Sequence, residues 1–328
     1  MIKVAFFNNK GGVGKTTLLY HVGWMMADLG VETICADLDP QSNLTSMCLG
    51  ESRLEQIWPE QGDRESIFGA MQPLVRGRGT LAPPAKLSIR SKLSLIPGDL
   101  ALSQAEDKLS VRWMEASSGD EAALRLTSAF GNAIELAART TDTKLALIDV
   151  GPNLGAITRA ALIAADFIVV PLAPDLFSIQ ALRNLGPTIR EWRQQWSERS
   201  NKAPKSIDFE LPSGAMQPAG YVVMQFGLRD QKPVRAYERF LARIPSEFRR
   251  NVAGDESEAP AIGDDPYHLA SLKHYRSLAP LAMQANKPMF ELRAADGVIG
   301  GHIDAVKACR RDFNALASAL ARRIGLDL

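Results

Sequence analysis

The residues Lys10-Gly-Gly-Val-Gly-Lys-Thr-Thr17 stand directly behind a short apolar run, Ile2 to Asn8, and directly before a helical pattern from Lys15 to Leu29. A strand that opens through glycines into a helix leaves few folds available. Gly11, Gly12 and Gly14 free backbone N–H groups to wrap an anion, and the helix beginning near Lys15 adds the positive end of its dipole. The Lys15 ammonium can then reach the β and γ phosphates of a nucleotide and the Thr16 hydroxyl can ligate Mg²⁺, with Val13 and Thr17 completing the cradle.

Further short apolar runs follow at Thr33 to Ala36, Leu93 to Ile96, Leu145 to Ile148, Phe167 to Val170 and Tyr221 to Val223, most of them alternating with helical stretches. That is the pattern of buried parallel strands joined by helical crossovers, so the expected fold is α/β: a three-layer, doubly wound, mostly parallel sheet. All 328 residues are expected in one domain, with inserted surface loops at Gly62 to Lys92, Asn201 to Pro218 and Gly254 to Pro266, which are rich in Gly and Pro. There is a single nucleotide loop and no repeat at periods of 20 to 50 residues, which excludes a duplicated tandem arrangement.

Lys and Arg number 38 against 37 Asp and Glu, so a chain of net charge +1 does not bind nucleic acid through overall basicity. Any polyanion contact must be a local patch. Such a patch is offered by residues 229 to 250, where Arg243, Arg249 and Arg250 stand among seven basic residues, and by Lys273 and Arg276. Cys35, Cys48 and Cys309 are odd in number and widely spaced, which fits reduced thiols in a cytoplasm. No apolar run reaches the roughly 20 residues needed to span a bilayer. The four histidines show no spacing suited to a metal, and Trp192 and Trp196, four apart, read as packing residues.

The form KGGVGKTT, with its second lysine at Lys10, resembles the deviant Walker A motif of the ParA/MinD ATPases, which are P-loop NTPases. Asp37-Leu-Asp-Pro-Gln-Ser-Asn43 is similar to the DLDPQGN switch of the ParA/Soj branch, with Ser42 in place of Gly. Leu145 to Gly155 (LALIDVGPNLG) is similar to the strand and second switch of that family, and keeps Asp149 while reading Gly151-Pro152-Asn153 after it. Phe167 to Leu182, Gly220 to Gln225 and Tyr275 to Phe290 resemble later blocks. The cysteine ligands of the iron-sulfur members and the tyrosine-rich tail of the kinases of this fold are both missing from the sequence.

The resemblance implies an enzyme that hydrolyses ATP with Mg²⁺. Lys15 serves its own nucleotide, Lys10 reaches across a homodimer to the partner's, and Asp39 orients the attacking water. Asp37 and Asp149 act around the magnesium. Pro174, Asp175 and Gln225 follow strands at the carboxyl edge of the sheet and are the candidates for base contacts. It also implies an ATP-dependent dimer that binds DNA nonspecifically, works with a ParB-like adaptor in plasmid or chromosome partition, and associates with the nucleoid. The rival reading is a MinD-like or cargo-positioning ATPase acting on a membrane or a protein. The tail places Phe313, Leu316, Leu320 and Ile324 on one helical side, which reads as a helix docked on the sheet and not as a membrane anchor.

Overall fold

The computed structural model describes residues 1–225, 234–275 and 277–328. Arg229, Lys232 and Arg276 therefore lie outside the described residues, as do the side chains of Gln225 and Arg235. Among the described residues eight strands form one sheet: β1 (Ile2–Phe6), β2 (Thr33–Asp37), β3 (Leu87–Arg90), β4 (Leu93–Ile96), β5 (Leu145–Asp149), β6 (Phe167–Leu172), β7 (Gln217–Gln225) and β8 (His268–Lys273). Their spatial order is β3-β4-β2-β5-β1-β6-β7-β8, and every pairing is parallel except that of the edge strand β3 with β4.

The central strands are short and apolar because both of their faces are covered. All five residues of β2 and of β5 are buried, as parallel strands between helical layers require. One layer packs Phe130, Ile163 and Leu182 against Ile34 and Ile148. The other packs Leu18, Met25, Phe313 and Leu320 against Phe6 and Leu147. The chain thus winds over both sides of the sheet, and the doubly wound expectation holds.

The tail forms the helix Gly301–Ile324, which buries Phe313, Leu316, Leu320 and Ile324 against the first helix, Lys15–Asp28, and β8. Trp192 and Trp196 are core residues, and Trp196 stacks on Trp113 with ring centroids 6.2 Å apart. Among the described residues no helix is long and apolar enough to cross a membrane.

One of the expected loops is more ordered than its composition suggests. Gly62 to Lys92 contains the helix Ile67–Val75 and β3. Ile67, Phe68 and Met71 are buried from that helix, and the burial outweighs the helix-breaking Pro73 near its end. Pro and Gly dominate the composition there and conceal this short apolar face.

Candidate nucleotide site

The register of the sheet brings the site together. Asp149 ends β5 level with Asp37 at the end of β2 and with Phe6 at the end of β1. The glycine-rich loop leaves from just beyond Phe6. Gly12 and Gly14 hold φ of 71° and 82°, the left-handed region that a side chain disfavours, and the helix starts at Lys15 with Gly14 as its N-cap. Lys15 is buried, and that burial lowers its pKa against the raising pull of Asp149 and Asp39. An ammonium held there among carboxylates is poised for a phosphate.

The three aspartates differ in what they already hold. Asp37 is fully buried and accepts hydrogen bonds on both oxygens: from Thr45 N at 2.8 Å and Thr45 Oγ1 at 2.7 Å on one, and from Asp39 N at 3.3 Å on the other. The Thr45 hydroxyl in turn accepts from Gly98 N at 2.7 Å. Burial nonetheless pushes the Asp37 carboxyl up to about 7. Asp39 accepts from Gln41 N at 2.9 Å, and a methyl group placed on Gly151 would lie 3.2 Å from its Oδ1. Asp149 is fully buried, and neither of its oxygens has a hydrogen-bond partner.

Burial raises the Asp149 carboxyl well above its usual range; Asp37 adds to that, while the neighbouring Thr16 hydroxyl and Lys15 pull it down. A buried carboxylate with two free acceptors beside a hydroxyl and an ammonium fits a hydrated cation. The residues present therefore suit Mg²⁺ held by Thr16 and, through water, by Asp149. No group of three or more His, Cys, Asp and Glu among the described residues forms a protein metal cage. Mg²⁺ bound through one or two side chains plus phosphate does not need one.

Lys10 donates its backbone N–H to Asn8 Oδ1 at 2.9 Å, and its ammonium pairs with Asp175. Asp175 is also the N-cap of the helix Leu176–Ser200, accepting from Ser178 N at 2.8 Å. Both contacts, with Lys10 first among the groups that lower it, hold its carboxyl below the usual carboxylate range against the effect of burial. The structure thus gives Asp175 a lysine and a helix end as partners, and Pro174 beside it is buried.

Sequence reasoning missed the far wall of the site. A cavity of about 650 Å³ runs from Gly11, Gly14, Lys15 and Thr16 to Ala282, Met283, Asn286 and Met289. Its outer wall is the helix Leu278–Ala285 and the turn after it. Tyr275 to Phe290 carries a signal for this wall, since it resembles a block of the family, but the resemblance gives it no role in the pocket. His21 ties this wall to the first helix: its Nε2 accepts Met289 N at 3.0 Å, so its Nδ1 carries the proton donated to Thr17 O at 2.7 Å.

The basic candidates are treated unequally. Arg249 is buried, pairs with Asp255 at 2.6 Å and Asp265 at 3.3 Å, and donates to Ser257 Oγ at 2.7 Å. A guanidinium so engaged is not offered to a phosphate backbone, which corrects its place in the patch; the acidic insertion Gly254 to Pro266 supplies its partners. Arg243 shares Glu247 with Arg183. Arg250 is exposed, and Lys273 is 55% exposed, 4.0 Å from Asp312.

A parallel sheet wound on both faces, with a glycine-rich loop leading from β1 into a helix and an unsatisfied aspartate at the end of a neighbouring strand, defines a P-loop NTPase. Residues 1–202 match the family model described as an AAA domain (AAA_31), and the chain belongs to that family. It is 26% identical over 293 residues to an uncharacterized protein of Methanocaldococcus jannaschii, covering 88% of this chain and 93% of that one. It is 30% identical over 196 residues to the chromosome partitioning protein ParA of Caulobacter vibrioides, covering 60% of this chain and 65% of that one. The chain spans roughly half to two thirds of the length of the partition relatives it matches.

Solved structures agree on the fold. Protein DIP2308 from Corynebacterium diphtheriae superposes with a TM-score of 0.72 at 22% identity, over 98% of both chains. An ATP complex of McdA from Cyanothece superposes with a TM-score of 0.61 at 17% identity, over 100% of this chain and 98% of that one. The family match and the sequence relatives place the chain among ParA-type P-loop ATPases.

Proposed function

We propose that this protein hydrolyses ATP to ADP and phosphate as a switch between monomer and ATP-bound dimer, and that the dimer binds DNA without sequence preference and serves partition with a ParB-like adaptor. The observation that carries the reading is the convergence of Lys15, Thr16, Asp39 and the unpartnered Asp149 at one edge of the sheet. Relatives named for chromosome and plasmid partition support the biological half.

The chemistry follows from placement. The loop amides and Lys15 hold the phosphates, so that charge gathering on the transferred phosphoryl group meets fixed donors that need no reorganisation. Asp39 accepts a hydrogen bond from the attacking water and aims its lone pair at the γ-phosphorus. Thr16 and Asp149 would hold Mg²⁺, which would supply positive charge against the phosphates. Lys10 leaves Asp175 for the partner's nucleotide when two copies meet. The DNA surface draws on Arg243, Arg250, Lys273 and Arg276, without Arg249.

Sedimentation with ATP and with ADP, followed by DNA addition, tests the proposal together with a turnover assay. The wild type should hydrolyse ATP, dimerise only with ATP, and shift with DNA in a salt-sensitive way. Lys10→Ala should keep nucleotide binding and lose the dimer, whereas Lys15→Ala should weaken binding by about 10- to 100-fold. Arg250→Glu should reduce DNA binding on every sequence alike while leaving the dimer intact. A dimer that ignores DNA at low salt but sediments with anionic liposomes would move the protein to the membrane reading.

A further inference from the structure

The loop between Asp149 and the helix Ala156–Ile163 is pinned at its far end by a residue from a distant part of the chain. Glu106, the first residue of the helix Glu106–Glu115, accepts Ala156 N on Oε1 at 2.5 Å and Ile157 N on Oε2 at 3.0 Å. The N-cap of the helix it meets, Gly155, offers no side chain. Two of the orphan amides of that helix are thus satisfied by a carboxylate that arrives from fifty residues upstream.

Gly155 has φ of −84° and ψ of −175°, a conformation open to any residue and one that N-cap Ser or Asp residues adopt. What excludes a side chain is the contact: a Cβ there would lie 2.5 Å from Glu106 Oε1. A second tie joins the same two helices one turn further on. Arg159 lies over the Trp113 ring with its guanidinium carbon 4.4 Å from the centroid.

The near end of the loop abuts the reacting centre. Gly151 faces Asp39 Oδ1, and Pro152 lines the nucleotide cavity. Six residues, 150–155, therefore run from the strand end at Asp149 to the Glu106 anchor, so only three residues separate Gly155 at that anchor from Gly151 at Asp39. We infer that Glu106 is a positioning residue: by tethering the start of the helix Ala156–Ile163 to the helix Glu106–Glu115, it fixes the loop 150–155 against Asp39. The inference rests on the ATPase reading for its kinetic consequence, but not for its structural one.

A simple cap and a tether can be separated. Glu106→Ala removes both functions. Adding Gly155→Asp to it places a local cap where the lost carboxylate leaves room, and so restores the helix end without the Glu106 link, the Arg159–Trp113 contact being common to all the variants. Glu106→Ala should lower kcat about tenfold with KM for ATP changed less than about twofold, because the phosphate loop is untouched. The double variant should recover the wild-type melting temperature while kcat stays low, and amide exchange over residues 150–155 of the nucleotide-free protein should stay faster than in the wild type. Recovery of kcat together with stability would make Glu106 a cap only and overturn the inference, as would unchanged kcat in Glu106→Ala. If the wild type hydrolyses no ATP, it is the ATPase reading that fails. The exchange measurement then decides for Glu106, and wild-type protection of the loop in the double variant overturns the tether.

Discussion

Acid should weaken this protein through one buried histidine. His21 is fully enclosed, with its imidazole 4.9 Å from the Phe313 ring centroid, and it spends both nitrogens on backbone partners. Burial lowers its pKa from 6.5 to about 4, the Thr17 carbonyl opposing only in part. The folded pKa lies below the unfolded one, so between these values the unfolded chain takes up a proton that the native state refuses. The contribution is complete above pH 6.5 and is lost as pH falls toward 4. A displacement of this size corresponds to about 3 kcal/mol in full, of which about 2 kcal/mol falls between pH 7.5 and 5.

The wild-type profile alone does not isolate this effect. Asp37, raised to about 7, contributes with the opposite sign, because its native carboxyl keeps a proton that the unfolded one has released. Asp149 acts in the same direction as Asp37. The comparison with His21→Gln removes both, since those carboxyls are common to the two proteins. Urea unfolding at pH 7.5 should show the variant less stable by about 1–2 kcal/mol, with the gap closing by about 2 kcal/mol at pH 5. A gap that is the same at both pH values would mean that His21 titrates natively as it does unfolded, and the burial argument would be refuted.

Two further outcomes bear on the site. Asp39→Ala should leave ATP binding and dimerisation intact while turnover falls about 100-fold or more, so that the ATP dimer accumulates; wild-type turnover by a phosphate-release assay would assign the water to another residue. Asp149→Asn should raise the melting temperature of the nucleotide-free protein by a few degrees, as about 1–2 kcal/mol does in a chain of this size, because it removes a carboxyl whose ionisation is opposed by burial and by Asp37. The same variant should lose the Mg²⁺ dependence of nucleotide affinity in a fluorescent-nucleotide titration, and a retained dependence would remove Asp149 from the metal's surroundings.

The parts of the site that are contiguous in sequence are the parts a reader of the sequence finds. Lys10 to Thr17 carries its own geometry, since glycine torsions, loop amides and helix start are all set within eight residues. The parallel sheet is legible for a related reason, because buried strands must be short and apolar whatever they contact. Arg249 shows where this stops: its neighbours in sequence are basic and suggest a solvent-facing patch, but its partners Asp255 and Asp265 come from the insertion behind it. The cavity wall at Ala282 to Met289 and the Glu106 anchor are likewise products of chain crossings, which no local pattern encodes.

Asp37 and Asp149 make the same point at a single rung of the sheet. They are register partners, both fully buried, both ending an apolar strand in an aspartate, and on sequence grounds they are equivalent candidates for work around a metal. The difference lies in what the following chain supplies. After β2 the chain turns back through the helix Asn43–Cys48 and delivers the Thr45 amide and hydroxyl to Asp37. After β5 it continues into the loop 150–155, which delivers no donor to Asp149. An unsatisfied buried carboxylate costs stability that a structural residue would not leave unrecovered. Asp149 is therefore the one left with free acceptors beside Thr16 and Lys15, and Asp37 is the one whose hydrogen bonds reach Thr45 and the Asp39 amide.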